Sequence, residues 1–249
     1  MKIGFCFLVK KNISREYIWK VFFNSAHNSA YSIYIHAKTN TVSSLLESAN
    51  VDPFPLKTEW ASLSLVKATK RLLTTAFEDG CDSVVFLSGD SLPLWSFNTI
   101  EKLCTDSLFS LQPSQNLNAT QINQFRRESN RIKTFYGLES SIRLVKQNMF
   151  FSLTKSDFEL IQDISVDNFP AQEVPDEYFW ANHLIIKGAK INDSNFIFVN
   201  DDPTKTQSLS WIIDRELLHF LRSKGYLFIR KANGFADTMA KKYYSKLIS

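Results

Sequence analysis

The amino-acid sequence predicts an α/β protein whose mixed, mostly parallel sheet is flanked by helices. Strand-like runs alternate with helix-like segments along the chain, which is the order expected of βαβ units. In the run at 83–88, apolar residues follow one another without the alternation of a half-exposed strand. Such a run is typical of the interior of a parallel sheet, where both faces of a strand are buried.

The first part of the chain shows this alternation clearly. In order, it predicts a strand at 3–9, a helix over 13–26, a strand at 31–36, a short helix over 42–49 and a helix over 62–77. The last of these helices is the most regular, because Leu65 and Leu72 lie on one stripe while Lys67 lies off it. We expect the stripe to pack on the sheet.

The strand at 83–88 ends abruptly, because Gly89 and Pro93 force a turn at its carboxyl end. In open α/β sheets, ligands bind at the carboxyl ends of the strands. The remaining elements, in order, are predicted as a helix over 97–104, a strand at 148–153, helices over 155–161 and 174–186, a strand at 196–199, a helix over 209–221, a strand at 226–229 and a helix over 232–247.

One segment breaks the alternation. Between 112 and 130, Pro, Ser, Asn and Gln dominate, and no hydrophobic period persists. We interpret 112–146 as a surface loop or lid within a single domain that covers 1–249, because composition gives no sign of a linker between two domains.

Composition limits the class of protein. Apolar residues make up 44% and charged residues 22% of the 249 positions, which is ordinary for a folded domain. The net charge of +4 is uneven, since residues 215–249 contain eight Lys or Arg and two Asp or Glu. A basic end favours partners that contain phosphate. The interleaved basic and aromatic residues of nucleic-acid modules are absent, so we expect no nucleic acid as partner.

The cysteines and the first residues bear on location. The three cysteines, Cys6, Cys81 and Cys104, form no zinc-binding pattern with histidine, and their odd number favours a reducing compartment. The apolar run at 3–9 is too short to span a membrane and has no small-residue cleavage site, so we interpret it as a strand. We therefore expect a cytoplasmic protein without a transmembrane anchor.

The residues offer a few candidates for chemistry. The sequence has no G-x-G-x-x-G, P-loop, G-x-S-x-G, H-E-x-x-H or D-x-D motif. Glu177 lies beside Tyr178, Phe179 and Trp180, and an apolar setting raises a carboxyl pKa towards that of a good general base. An acid in the first turn of a helix commonly stabilises the helix through its dipole, so a purely structural role for Glu177 stays open.

Cations at a strand end are a second candidate. Arg230 and Lys231 directly follow the predicted strand at 226–229, where they could neutralise a diphosphate without a metal. The alternative is a solvated surface pair. Arg131, in the segment without a pattern, is a candidate contact for an acceptor or part of a solvated basic face.

Several of these segments together resemble the core-2/I-branching β-1,6-N-acetylglucosaminyltransferase family, which is glycosyltransferase family 14. The matching segments follow in the family's order: 60–68 (WASLSLVKA), 72–73 (LL), 86–94 (FLSGDSLPL), 147–153 (QNMFFSL), 175–180 (PDEYFW) and 227–231 (LFIRK). Each motif is modest by itself, and their order along nearly the whole chain makes the resemblance specific.

The resemblance implies a GT-A-like, Rossmann-type α/β fold and an inverting transferase that moves a sugar from a UDP-sugar to a carbohydrate or glycoconjugate acceptor. It implies no divalent metal and no other cofactor. The first guess for the sugar is GlcNAc, with xylose, glucose and glucuronic acid as alternatives. Residues 1–111 would form the nucleotide-sugar half and 147–249 the acceptor and catalytic half.

The resemblance also implies roles for residues. The family's general base falls on Glu177 and its diphosphate-binding lysine on Lys231. The other expected donor contacts are Arg230 and Lys205 for the diphosphate, with His36, Ser88, Gly89, Asp90 and Asn148 for the nucleotide and sugar. Trp180 and Arg131 are expected to bind the acceptor. The family often has an acid shortly after the histidine of the second strand, whereas this chain has His36-Ala37-Lys38.

Two hypotheses of other classes remain beside the enzyme. The first is a module of the same fold that binds a sugar or nucleotide without catalysis, and UDP-sugar hydrolysis distinguishes it from a transferase. The second is a nucleic-acid binder that uses the basic end, which predicts a steep dependence of binding on salt.

Overall fold

The computed structural model describes residues 1–39, 49–112, 117–199 and 215–231. Its strands are β1 (Ile3–Val9), β2 (Tyr31–Ala37), β3 (Asn50–Val51), β4 (Ser83–Ser88), β5 (Ser91–Pro93), β6 (Leu108–Leu111), β7 (Gln147–Thr154), β8 (Asn192–Asp193), β9 (Ile197–Val199) and β10 (Phe228–Arg230). Its α-helices are α1 (Glu16–Asn24), α2 (Leu63–Glu78), α3 (Phe97–Leu103), α4 (Ala119–Tyr136), α5 (Lys155–Ile161), α6 (Phe179–Ile186) and α7 (Arg215–Ser223). Residues Asn28–Ala30 and Pro175–Glu177 form 3-10 turns.

Within the described residues, the main sheet has seven strands in the order β3-β2-β1-β4-β7-β6-β8. Four of its six pairings are parallel and two, both made by β7, are antiparallel. The α/β prediction of a mixed, mostly parallel sheet flanked by helices is therefore confirmed. Because β1, β2 and β4 are parallel, their carboxyl ends meet at one edge of the sheet, and this edge is the expected place for a ligand.

Aromatic packing of α1 fixes the centre of this sheet. Phe5 and Phe7 of β1 are buried and pack against Trp19 of α1 in edge-on contacts at 6.3 and 4.9 Å between ring centroids. Burying side chains of this size stabilises a fold by about 1.5–3 kcal/mol each. The Trp19 indole also donates a hydrogen bond of 3.1 Å to the carbonyl of Ser91. The helix thus holds the chain in place just after the turn that ends β4.

A second sheet of three strands, β5-β10-β9, brings a distant part of the chain to the same turn. In this sheet β10 pairs antiparallel with β5 and parallel with β9, and Arg230 lies opposite Ser91. Strands β5 and β10 are far apart in sequence, so only this pairing places Arg230 at the carboxyl end of β4.

The prediction of a loop over 112–146 is wrong for 119–136, where the chain forms α4. The helix begins at a capping box in which Asn118 and Gln121 satisfy each other's backbone N–H groups, and it ends at Gly137 with φ 61°. Its buried positions include Glu128 and Ser129 as well as Ile132. A count of apolar residues misses such a helix because two of its inward-facing positions are polar.

Smaller differences concern short elements. The helix predicted over 174–186 is interrupted, since a 3-10 turn precedes α6. Strands β3, β5, β6 and β8 were not predicted, because two to four residues are too few to show a period. The helices predicted over 42–49 and 232–247, and the start of the one over 209–221, lie outside the described residues, apart from Ala49. Within the described ranges, no helix is long and apolar enough to cross a membrane.

Candidate active site

A cleft of about 370 Å³ lies at the carboxyl ends of β1 and β4. Polar and charged side chains from several elements contribute to its wall, and Met149 and Phe150 of β7 supply part of its apolar surface. The lining residues that bear a charge or a hydroxyl are Lys10, Lys38, Thr58, Glu59, Ser88 and Arg230. Volumes of about 300–1,000 Å³ are usual for small-molecule sites. Among the described lining residues, three side chains are cationic and one is anionic, which favours an anionic ligand.

The turn after β4 is held by its own side chains. The Ser88 hydroxyl donates a hydrogen bond to the Asp90 carboxylate and lies 2.8 Å from the Ser91 hydroxyl. Gly89 packs so closely on the segment after β1 that an added Cβ would lie 2.8 Å from the carbonyl oxygen of Asn12. The predicted residues Ser88, Gly89 and Asp90 therefore form one compact turn, and Ser88 lines the cleft.

Arg230 joins this turn to the second sheet. Its Nε lies 3.2 Å from Oδ1 of Asp90, and its guanidinium stacks 5.0 Å from the centroid of the Phe150 ring. Both contacts restrict the side chain, which is 30% exposed and lines the cleft. A cation held in one place by a carboxylate and a ring is suited to bind a phosphate group.

Lys231 follows in an uncommon backbone conformation, with φ 62°. A residue other than glycine in the left-handed region costs free energy, and such residues are frequent at functional sites. The lysine lies directly after β10, next to the cation that lines the cleft.

Glu177 ends the 3-10 turn that begins at Pro175. The residue before the turn, Val174, has φ 43°, which is strained for a β-branched side chain. The Glu177 carboxylate forms an ion pair of 2.9 Å with the ammonium group of Lys146. Burial raises the pKa of Glu177, and the charge of Lys146 lowers it again in part. The turn packs on β7 and α2, and both elements contribute to the wall of the cleft.

Asp176 is a second carboxylate in this turn, and it was not among the residues predicted for the site. It is 6% exposed, and its Oδ1 atom has no hydrogen-bond partner among the described residues. Burial and the neighbouring charge of Glu177 raise its pKa to about 6, against the opposing effects of Lys146 and Arg230.

Two predicted contacts are corrected by the structure. His36 is fully buried, and its Nε2 accepts a hydrogen bond of 2.9 Å from the Leu56 N–H, so it supports the segment before Thr58 and presents no exposed surface to a donor. Trp180 is 1% exposed and packs on Phe151. A ring without exposed surface cannot bind an acceptor. Both errors have one cause, since neighbours in sequence do not show on which side of a strand or helix a side chain lies.

Three other predicted residues lie away from the cleft or outside the described chain. Asn148 borders a separate depression that is lined by residues of β6, β8 and β9. Arg131 forms an ion pair with Glu128, a buried carboxylate that also accepts the Gln172 N–H at 2.8 Å. Lys205 lies outside the described residues.

Sequence reasoning missed Lys146 and Asp176 around the 3-10 turn, and it also missed the polar lining residues Lys10, Lys38, Thr58 and Glu59 of the cleft. Lys146 precedes β7 and is 7% exposed at its side chain. A lysine before an apolar strand normally extends into solvent, so only the three-dimensional contact with Glu177 distinguishes it.

Comparison with known proteins gives a family for the chain. The family model described as Core-2/I-Branching enzyme matches residues 3–185, which is more than half of the sequence. This range includes the turn of Glu177 and stops before Arg230 and Lys231.

Two individual proteins are also similar. "Glycosyltransferase BC10" from Oryza sativa subsp. japonica is 24% identical over 105 residues, and the match covers 39% of this chain and 26% of the rice protein. The chain thus matches about a quarter of the length of this relative. The crystal structure of galactosyltransferase LgtC with donor and acceptor sugar analogs aligns over 99% of this chain and 94% of that one, at 11% identity and a TM-score of 0.41. A TM-score below 0.5 supports no conclusion about the site.

Proposed function

This chain belongs to the core-2/I-branching enzyme family, and we propose that it is an inverting glycosyltransferase that moves a sugar from a UDP-sugar to a carbohydrate hydroxyl. The α/β sheet agrees with the GT-A-like fold that the family resemblance implies. The observation on which the proposal depends most is the Glu177 carboxylate, which is 23% exposed and paired with Lys146, in a turn that packs on β7 and α2, two elements that also contribute residues to the cleft.

In the proposed reaction Glu177 is the general base. It takes the proton of the acceptor hydroxyl while that oxygen forms a bond to the anomeric carbon. The bond from this carbon to the UDP oxygen breaks, and its electron pair leaves with UDP. Attack opposite the leaving group inverts the anomeric configuration. The raised pKa of Glu177 supports this role, because a stronger base accepts a proton more readily.

The leaving diphosphate would be stabilised by cations. Arg230, Lys10 and Lys38 line the cleft, and the family resemblance adds Lys231. Positioned cations can stabilise the negative charge that develops on a leaving group. We propose that the reaction needs no divalent metal, and the ion pair between Asp90 and Arg230 supports this, since the strand-end carboxylate already has a cation.

The donor that we propose first is UDP-GlcNAc, the one that the resemblance favours, and the alternatives are UDP-xylose, UDP-glucose and UDP-glucuronic acid. The test is a screen of these four donors with the purified chain, measuring equilibrium binding and the release of UDP, with and without EDTA. We expect saturable binding and release for one donor, unchanged by EDTA.

Each other result of the screen has a defined meaning. Binding of a donor without release, in the presence of a broad panel of glycan acceptors, would favour a non-catalytic module. Loss of release on adding EDTA would contradict metal independence. No binding of any UDP-sugar would contradict the proposed function as a whole.

A further inference from the structure

Lys146 is the most unusual cation of the site. Its side chain is 7% exposed, and its ammonium group lies 2.9 Å from Oε2 of Glu177. A second contact, 3.4 Å to the side-chain oxygen of Gln124, links it to α4. An ammonium group is strongly hydrated, and taking it out of water is unfavourable unless a partner compensates. The fold therefore retains a buried charge at this place, and its ionic partner is the proposed general base.

We propose that Lys146 is a positioning residue for the transfer reaction, which keeps the Glu177 carboxylate ionised and in one orientation within its buried turn. This inference depends on the proposed function for its catalytic meaning. The geometry by itself supports the coupling of the two side chains. No covalent step is assigned to Lys146.

The physical need for such a residue follows from the position of Glu177. A general base must be ionised before the acceptor arrives, while burial favours its protonated form. A cation within direct contact restores the ionised form without exposing the carboxylate to water. Because Gln124 holds the ammonium group from α4, the ion pair also connects the turn of Glu177 to that helix.

The other charged groups near Glu177 do not replace Lys146. Asp176 and Tyr178 are its neighbours in the chain, and their ionised forms are negative. Arg230 on β10 acts on Asp176 and pairs with Asp90. On α4, Arg127 pairs with Glu173 and Arg131 with Glu128. On α2, Lys67 pairs with Asp167 and Arg71 with Asp52, while Lys70 donates to the Ile164 carbonyl. His183 of α6, which also packs on the turn, donates from Nδ1 to the Phe179 carbonyl.

The direct test measures the ionisation of Glu177 by NMR, without any need for activity. The protein is labelled with ¹³C at the glutamate side-chain carboxyl carbons, and Glu177→Gln identifies the resonance of Glu177. We expect Lys146→Met to raise the pH at which this carboxyl titrates by about one unit or more, the size of effect of an opposite charge in contact. Lys146→Arg should keep the wild-type titration. A Glu177 titration that is the same in wild type and Lys146→Met would overturn the proposal.

Activity provides the second readout. We expect the acid limb of the pH profile of kcat/KM to move to higher pH in Lys146→Met by the same amount, with Lys146→Arg close to wild type. Lys67→Met is the matched control, because it removes a lysine–aspartate pair on the exposed side of α2. If Lys146→Met does not fold, Lys146→Gln takes its place. A profile that falls in height without moving along the pH axis would overturn the positioning role.

The two levels of inference fail in different ways. If the NMR titration depends on Lys146 while the wild-type protein transfers no sugar from any donor, the proposed function is wrong and the coupling stands. If the wild-type protein transfers sugar and Glu177 titrates without regard to Lys146, the proposed function stands and the role of Lys146 is wrong.

Discussion

Asp176 and Glu177 show how adjacent carboxylates acquire different properties. Glu177 has an ion-pair partner in Lys146, and its side chain is 23% exposed. Asp176 is more deeply buried, and within the part of the chain that the structure describes one of its carboxylate oxygens lacks a hydrogen-bond partner. Its raised pKa of about 6 means that the ionised form is unfavourable in the folded protein. The turn therefore contains a carboxylate whose charge opposes folding at neutral pH.

Replacing Asp176 with asparagine should stabilise the protein at neutral pH. The folded pKa, about 6, lies above the reference value of 3.8, so the wild type loses stability as the pH rises from about 4 to about 6. Asp176→Asn lacks this loss and should be more stable than wild type by about 1–3 kcal/mol at pH 7, with little advantage at pH 4. Urea unfolding at both pH values measures the difference. Asp167→Asn, at an exposed site, is the control, and a variant no more stable than wild type at pH 7 would refute the prediction.

Arg230 provides a second prediction for a single residue. Arg230→Met removes a cation from the cleft and leaves Asp90 without its partner. We expect the dissociation constant of the donor to rise about 10- to 100-fold, the size of a hydrogen bond to a charged group. Asp90→Asn in the same chain should recover part of the loss. Calorimetric titration with UDP measures the effect.

The control for this experiment is Arg222→Met, because Arg222 also stacks on an aromatic ring, Trp95, at 4.3 Å. It should leave the affinity for UDP unchanged. Equal affinities of the wild type and Arg230→Met would show that the cleft does not bind the diphosphate through Arg230.

At the level of elements, the turn between β4 and β5 depends on close packing. Glycine at position 89 is required by space, since its neighbours include the Asn12 carbonyl and the Val9 side chain. A backbone atom cannot move away as the end of a flexible side chain can. The close approach therefore connects the segment after β1 to the turn after β4, next to Lys10 and Ser88, which line the cleft.

Gly89→Ala should consequently disturb both stability and donor binding. Overpacking of this kind costs about 1–3 kcal/mol, and the displaced turn should also weaken UDP binding. The control is Gly80→Ala, at φ 78° with nothing within 4 Å of the added Cβ. It lies before β4, at the opposite edge of the sheet, so it should cost stability through backbone strain alone. Denaturant unfolding measures the stability of both variants, and calorimetric titration measures their affinity for UDP. Unchanged UDP affinity in Gly89→Ala would contradict the expected link between packing of this turn and donor binding.

How far the elements were predictable depends on which residues are buried. Strand β4 and helix α2 were found because their inward positions are apolar, and apolar periodicity is the signal that sequence reading uses. Helix α4 was missed because Glu128 and Ser129 are buried with their polar groups. The buried charge of Glu128 is compensated by Arg131 of the same helix and by the backbone N–H of Gln172. The contact with Gln172 is distant in sequence, so no local pattern predicts it.

For the whole molecule, buried histidines determine part of the response to acid. His183 donates a hydrogen bond of 2.7 Å from Nδ1 to the Phe179 carbonyl and lies 2.8 Å from the Tyr136 hydroxyl at Nε2. Burial lowers its pKa to about 4, and burial also lowers the pKa of His36. Both rings are neutral in the folded protein and gain a proton more readily on unfolding.

The stability that His183 contributes should therefore be complete above pH 6.5 and be lost as the pH falls to about 4. We expect wild type to exceed His183→Gln in free energy of unfolding at pH 7.5, and the gap to narrow by on the order of 3 kcal/mol at pH 4. The contribution of Asp176 to the pH dependence of unfolding has the opposite sign. It is the same in wild type and His183→Gln, so it cancels in the difference between them. Denaturant unfolding across this range measures the gap, and a gap independent of pH would contradict the prediction.

Within the site as a whole, the sequence could predict only those residues that belong to a recognisable local motif. Glu177 and Arg230 could be selected from their segments, and the structure brings Arg230 to the predicted strand end. His36 and Trp180 could not be judged, because burial decides their roles. Lys146 needed the contact between the segment before β7 and the 3-10 turn, which are 31 positions apart in the chain.

The most direct measurement is acceptor-dependent release of UDP by Glu177→Gln, at a saturating concentration of the donor and acceptor that the screen identifies. We expect the rate to fall by about 10²- to 10⁴-fold, the usual contribution of a general base, with UDP affinity retained. Glu173→Gln, which removes a half-exposed carboxylate four positions earlier, should keep the wild-type rate. A Glu177→Gln variant that binds UDP normally and turns over at the wild-type rate would contradict the central claim that Glu177 is the base of a glycosyl transfer.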